Sequence, residues 1–156
     1  MADITLVDVP SQRVIGMQRR GPYSQIAVLL GELVSYAMSN GVQLAGAPVA
    51  LMHEAGKEEV ERADREGNAL IDVAFPIVGS CEGTGEIRCY ELPGGTMAKT
   101  VHKGPYEACE PTYVALWQWI AREGKRITGP TREIYLNDPR EVPPEEILTE
   151  IHAPVA

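Results

Sequence analysis

Cationic side chains are scarce in this sequence. Its 156 residues carry 14 Lys+Arg against 22 Asp+Glu, a formal net charge of −8, and no basic cluster beyond the pair Arg19-Arg20. Nucleic-acid binding needs a cationic footprint that displaces counterions from phosphates, so direct contact with DNA or RNA is not expected. Long apolar runs are absent too. No stretch approaches the roughly 20 residues of a membrane helix, and Met1-Ala2-Asp3-Ile4-Thr5 lacks the basic and apolar segments of a secretory signal. The three cysteines, Cys81, Cys89 and Cys109, are odd in number and show no Cys-x-x-Cys spacing. They suggest neither a disulfide framework nor a zinc site, and a reduced, cytoplasmic setting is the simplest expectation. His53, His102 and His152 are scattered with no i, i+4 pair, so no metal is expected. Gly-x-Ser-x-Gly, P-loop and Gly-x-Gly-x-x-Gly patterns are missing, which removes the common hydrolase and nucleotide fingerprints. No cofactor is implied.

What the chain does have is an internal repeat. Gly21-Pro22-Tyr23 recurs as Gly104-Pro105-Tyr106, and at the same offset Leu33 recurs as Leu116, Gly41 as Gly124 and Gly46 as Gly129. The apolar stripe Ile26, Leu30, Leu33, Ala37 maps onto Cys109, Tyr113, Leu116, Ile120. A duplicated unit does not bury its own hydrophobic face well, so two copies, about 1–80 and 81–156 of a single domain, are expected to pack about a pseudo-two-fold axis. A groove between them is a favourable place for a small molecule.

Each half reads strand, strand or long turn, helix, strand, strand. Strands are expected in two short pieces across 3–19, then at 49–53, 70–77, 87–92, 97–102, 132–136 and 147–153. Helices are expected over about 23–40 and 106–123, each stopped by Asn-Gly or Glu-Gly. The highly charged stretch 54–68 is a solvated loop or a short surface helix. The fold class is therefore α+β with an antiparallel sheet, and two helices flank the central groove.

Glu133 is the first candidate for chemistry. It lies in Arg132-Glu133-Ile134-Tyr135-Leu136, where strand alternation puts Glu133 and Tyr135 on one face; its counterpart in the first copy is Ala50. A single carboxylate on one side of a duplicated groove attracts a cationic ligand, because a desolvated charge is costly unless paired. Alternatively, Glu133 faces water and pairs with Arg132 or Arg88. Glu150 and His152 form a similar acid-x-aromatic pair on the last strand and either line the same groove or face solvent. Tyr113, Trp119, Tyr36 and Phe75 are candidate apolar walls. Trp117 and Trp119 lie on opposite shoulders of one helix, so one is expected in the core and the other exposed or facing the pocket. Cys109, on the stripe, packs as a small hydrophobe.

The runs Leu92-Pro93-Gly94-Gly95-Thr96, Val101-His102-Lys103-Gly104-Pro105-Tyr106-Glu107, and Glu133-x-Tyr135-Leu136-Asn137-Asp138-Pro139 resemble GyrI-like proteins. So does the ending from Pro143-Pro144 through Pro154-Val155. The family includes the effector-binding modules of AraC-type and MerR-type regulators, and the resemblance covers nearly the whole chain. It implies a tandem pair of βαβββ-type units (the SHS2 arrangement) that binds lipophilic, often cationic or polyaromatic compounds. Its pocket glutamate maps to Glu133 and its second acid-x-aromatic pair to Glu150 and His152, where His152 departs from the tyrosine some members carry. It also implies two alternatives. One is a hydrolase opening the cyclopropane of DNA-alkylating natural products, with Glu133 and Tyr135 as catalytic groups. The other is an interaction protein that shields DNA gyrase through acidic surface. Haem binding, as in the related SOUL proteins, is disfavoured by the setting of the histidines. The domain begins by residue 3, so the expectation is a standalone protein, monomeric or weakly dimeric.

Overall fold

A computed structural model describes residues 3–54 and 56–156. The elements run β1 (Thr5–Val9), β2 (Gln12–Gly21), α1 (Gln25–Asn40), β3 (Gln43–Leu44), β4 (Val49–Met52), α2 (Lys57–Glu66), β5 (Ala69–Val78), β6 (Arg88–Leu92), β7 (Gly95–Lys103), α3 (Glu110–Arg122), β8 (Thr131–Tyr135) and β9 (Leu148–Pro154). This is the α+β class that the alternating patterns imply. The charged stretch 54–68 folds as α2, with Ala63 its buried residue.

The chain divides into two compact units, 11–93 and, joining its two ends, 1–10 with 94–156. In the first, the antiparallel order is β4-β5-β2-β6, with the short β3 paired to the end of β5. In the second, it is β8-β9-β7-β1. The two orders correspond strand for strand, as expected of a duplication. One detail escapes linear reading. β1 pairs with β7 rather than with β2, and β6 pairs with β2 rather than with β7.

The first unit buries Val14, Ile15 and Met17 of β2, Leu29, Leu33 and Ala37 of α1, and Ile71, Val73 and Phe75 of β5. Leu29 rather than Leu30 completes the fully buried stripe of α1. That helix ends where Gly41 takes a left-handed φ of 68° and returns its N–H to Ala37 O. In the second unit, Ala98, Leu116, Ile120, Ile151, Ala153 and Val155 form one cluster, with Ile4, Tyr113, Trp117 and Trp119 packed on it. Both tryptophans are thus half-buried against the core.

Two further expectations are corrected. The second helix starts at Glu110, not near Tyr106, and is preceded by a 3-10 turn, Tyr106–Ala108. A continuous helix would place Pro111 in its interior, where the missing N–H and the ring clash break the ladder; in the first turn both are tolerated. Cys81 and Cys89 are joined in a disulfide, with Cα atoms 5.5 Å apart. Between them, Thr84 and Ile87 exchange backbone hydrogen bonds of 2.9 and 2.8 Å, and this turn brings the two cysteines within bridging distance. The odd cysteine count hid one bridge and one buried free thiol, Cys109. No helix among the described residues is long and apolar enough to cross a membrane.

Candidate functional site

Register decides which side chains meet. In the second unit Glu133 lies opposite Ile151 and Tyr135 opposite Thr149. Directly opposed residues of an antiparallel pair share a face, and Ile151 and Thr149 are wholly buried. Glu133 and Tyr135 therefore lie on the face that packs toward α3. Arg132 and Ile134 lie opposite His152 and Glu150, on the other face.

From α3, the Tyr113 hydroxyl donates a short hydrogen bond to Glu133 Oε2. The Tyr135 hydroxyl donates to Oε1 at 3.0 Å. Around this core, the Tyr106 ring stands edge-on to Tyr135 with centroids 5.6 Å apart. Trp117 lies tilted against Tyr113, also at 5.6 Å. Both of these donors to the half-buried carboxylate are neutral phenols. Arg132 points to the opposite face, and Arg88 sits over the Tyr90 ring at 5.1 Å.

The electrostatics agree with that geometry. Burial first, and the Glu133 charge second, hold the Tyr113 and Tyr135 phenols protonated far above the ordinary tyrosine range. The same two causes, in the same order, raise Tyr106 and push the buried Cys109 thiol up to about 12. Four ionisable groups are kept neutral around one carboxylate, which leaves a negative site walled by aromatic rings.

Glu150 and His152 form a separate cluster on the opposite face. His152 Nε2 lies 2.7 Å and Lys99 Nζ 3.3 Å from Glu150 Oε1. Burial raises the Glu150 pKa, but hydrogen bonds to His152 and Lys99 outweigh it and the net shift is downward. Its counterpart Asp72, buried in the first unit, takes Gln18 at 3.0 Å and His53 at 2.7 Å on Oδ2. Tyr36 and Phe75 belong to the first unit, Tyr36 half-buried on α1 and Phe75 buried on β5. Trp119 packs on the second unit's core, while Trp117 makes the ring contact to Tyr113. Sequence reasoning thus left out Trp117, Tyr106 and Cys109 as neighbours of the carboxylate. The signals for two of them were present: Trp117 is i+4 from Tyr113 on a helix, and Tyr106 closes the repeated Gly-Pro-Tyr. Among the described residues no group of three His, Cys, Asp or Glu is arranged to hold a metal.

Two α+β units of matching strand order, one carrying a carboxylate enclosed by aromatic side chains, define a small-molecule-binding domain. The chain belongs to the GyrI-like small molecule binding domain family, whose model matches residues 2–156. Comparison with curated proteins gives no match. Among solved structures, the chain is similar to the EcmrR C-terminal domain, with a TM-score of 0.87 and 23% identity over 100% of this chain and 98% of that one. It matches EcmrR in its DNA complex with a TM-score of 0.85 and 22% identity over 99% of this chain, and there spans only 57% of the EcmrR chain. A hydrolase from Listeria innocua matches with a TM-score of 0.73 and 19% identity, over 99% of this chain and 92% of that one. SAV2435 bound to tetraphenylphosphonium matches with a TM-score of 0.61 and 13% identity, over 99% and 94%. At these identities the likeness establishes the fold.

Proposed function

We propose that the chain binds lipophilic cations, planar aromatic ones above all, with Glu133 supplying the charge and Tyr106, Tyr113, Tyr135 and Trp117 the surrounding apolar and π surface. The carrying observation is a half-buried carboxylate whose hydrogen-bond donors are two phenols rather than a cation. Two neutral donors lower the cost of burying that charge without cancelling it. A cation arriving without hydrogen-bonding groups gains the Coulomb attraction together with ring-quadrupole stabilisation. SAV2435, which shares the fold, was solved with such a cation bound.

The experiment is a titration of tetraphenylphosphonium and of a rhodamine-type dye against wild type and Glu133→Gln. Loss of the charge is expected to weaken cations by about tenfold or more, or ~1.4 kcal/mol, and neutral analogues little. Equal affinity of both proteins for the cation overturns the reading.

A second reading, hydrolysis of strained electrophiles such as cyclopropane-bearing alkylators, rests on the same carboxylate. Glu133 would take a proton from water as the water oxygen bonds the electrophilic carbon; the cyclopropane C–C bond breaks, its electron pair stays on the rest of the substrate, and a neutral phenol returns the proton there and is reprotonated from Glu133. The Listeria innocua neighbour described as a hydrolase keeps this reading alive. Mass spectrometry for a water adduct tests it, and no adduct above the Glu133→Ala background rejects it.

A further inference from the structure

His102 is buried, 6% exposed, and takes no part in the site as described. Its two ring nitrogens are both used. Nε2 lies 3.0 Å from Pro105 O and Nδ1 lies 2.9 Å from Thr112 Oγ1. A carbonyl only accepts, so Nε2 carries the hydrogen and donates to Pro105; in the neutral ring Nδ1 then accepts from the Thr112 hydroxyl. One imidazole on β7 therefore clamps the two ends of the segment 105–112. That segment holds Tyr106 and Cys109, and Tyr113 follows it directly. All three are groups that burial first, and the Glu133 charge second, keep protonated.

The segment needs such a clamp. It leaves β7 through Gly104, whose φ of 129° lies where side-chain-bearing residues rarely go. It then makes one 3-10 turn before α3 begins. A short 3-10 turn has weak internal hydrogen bonding, and its Tyr106 residue is 39% exposed. Besides the His102 bonds, the described anchor at its start is Gly104 N to Ile147 O at 2.8 Å. In the first unit the position equivalent to His102 is Arg19, which bonds Glu32 and Glu86 instead. The clamp on the Gly-Pro-Tyr turn is therefore particular to the unit that carries Glu133.

We infer that His102 is a positioning residue for the small-molecule site: by tying Pro105 O to Thr112, it holds Tyr106 against Tyr135 and so completes the aromatic wall beside Glu133. The inference rests on the cation-binding reading above, and the test separates the two.

Tetraphenylphosphonium affinity is measured for wild type, His102→Phe, Tyr106→Ala and the double variant, each well below its unfolding temperature. His102→Gln is included because its amide N–H reaches where Nε2–H does. His102→Phe is expected to weaken binding roughly fivefold to tenfold, the scale of one buried hydrogen bond. His102→Gln should recover most of that loss. In the Tyr106→Ala background, His102→Phe should change affinity by less than twofold, because the ring it positions is gone. In addition, 19F NMR of fluorotyrosine at 106 should show one ordered environment in wild type and averaging in His102→Phe. If His102→Phe costs stability but leaves affinity and the 19F signal unchanged, or if the two losses simply add, His102 is structural only and the inference fails. If wild type itself ignores the cation, it is the binding proposal that falls, and the 19F comparison still decides whether His102 orders Tyr106.

Discussion

The two phenols on Glu133 make alkaline pH a direct probe of the site. Free tyrosine loses its proton near pH 10, whereas Tyr113 and Tyr135 keep theirs well beyond it in the folded protein. A folded-state pKa raised above the unfolded value gives stability that is complete below the unfolded pKa and is lost as pH rises toward the folded one. Above about pH 10 the unfolded chain binds two fewer protons than the native state at these positions. Stability then falls with a slope of about 2.303RT per group, ~2.7 kcal/mol per pH unit for the pair at 25 °C. The Cys109 thiol, raised to about 12, adds ~1.4 kcal/mol per unit from about pH 9 upward. By pH 12 these slopes remove roughly 10 kcal/mol, a large share of a typical total of roughly 5–15 kcal/mol, so stability should fall steeply above pH 10. The assay is urea unfolding at pH 8 to 11.5, paired with tyrosinate absorbance of the native protein. Of the six tyrosines, 113 and 135 should stay silent until unfolding. In Glu133→Gln, which removes the second cause of their shifts, they should ionise at lower pH. If all six titrate together near pH 10 in the native protein, the description of the site is wrong.

Other consequences are independent of that titration. Leu116→Ala empties a wholly buried position in the second unit's core and should cost about 2–5 kcal/mol, read by chemical denaturation. Reduction of Cys81–Cys89, or the Cys81→Ser/Cys89→Ser double variant, should cost about 2–3 kcal/mol by the loop-entropy relation for so short a loop; an unchanged melting temperature under reductant would show that the bridge contributes nothing. Because the Glu150 pKa is depressed in the fold, its contribution is present above the ordinary carboxylate range and lost as pH falls through it. Glu150→Gln should therefore be less stable than wild type at pH 7 and approach it as pH falls below the carboxylate range, read by urea unfolding at pH 7 and at pH 3.

The internal repeat made much of the fold legible. Gly-Pro-Tyr, the apolar stripes and the glycine stops are local features, and local periodicity is what distinguishes helix from strand. Strand alternation likewise puts Glu133 and Tyr135 on one face, since the pleat has period two. The partner-switching of β1 and β6 left no such trace, because pairing between strands far apart in sequence is set by tertiary packing. Nor did spacing alone expose the Cys81–Cys89 bridge, which depends on the Thr84–Ile87 turn.

The chain of amino acids by itself determined the elements, the duplication and the lone carboxylate at 133, all properties of neighbours within one strand or one helix. Only tertiary structure decided what that carboxylate meets. The antiparallel register of β8 on β9 turned Glu133 toward α3 and sent Glu150 and His152 to the opposite face. The packing of α3 then delivered the Tyr113 hydroxyl. Side-chain encounters across elements depend on register and helix placement, and neither is encoded in the spacing of residues along a single segment.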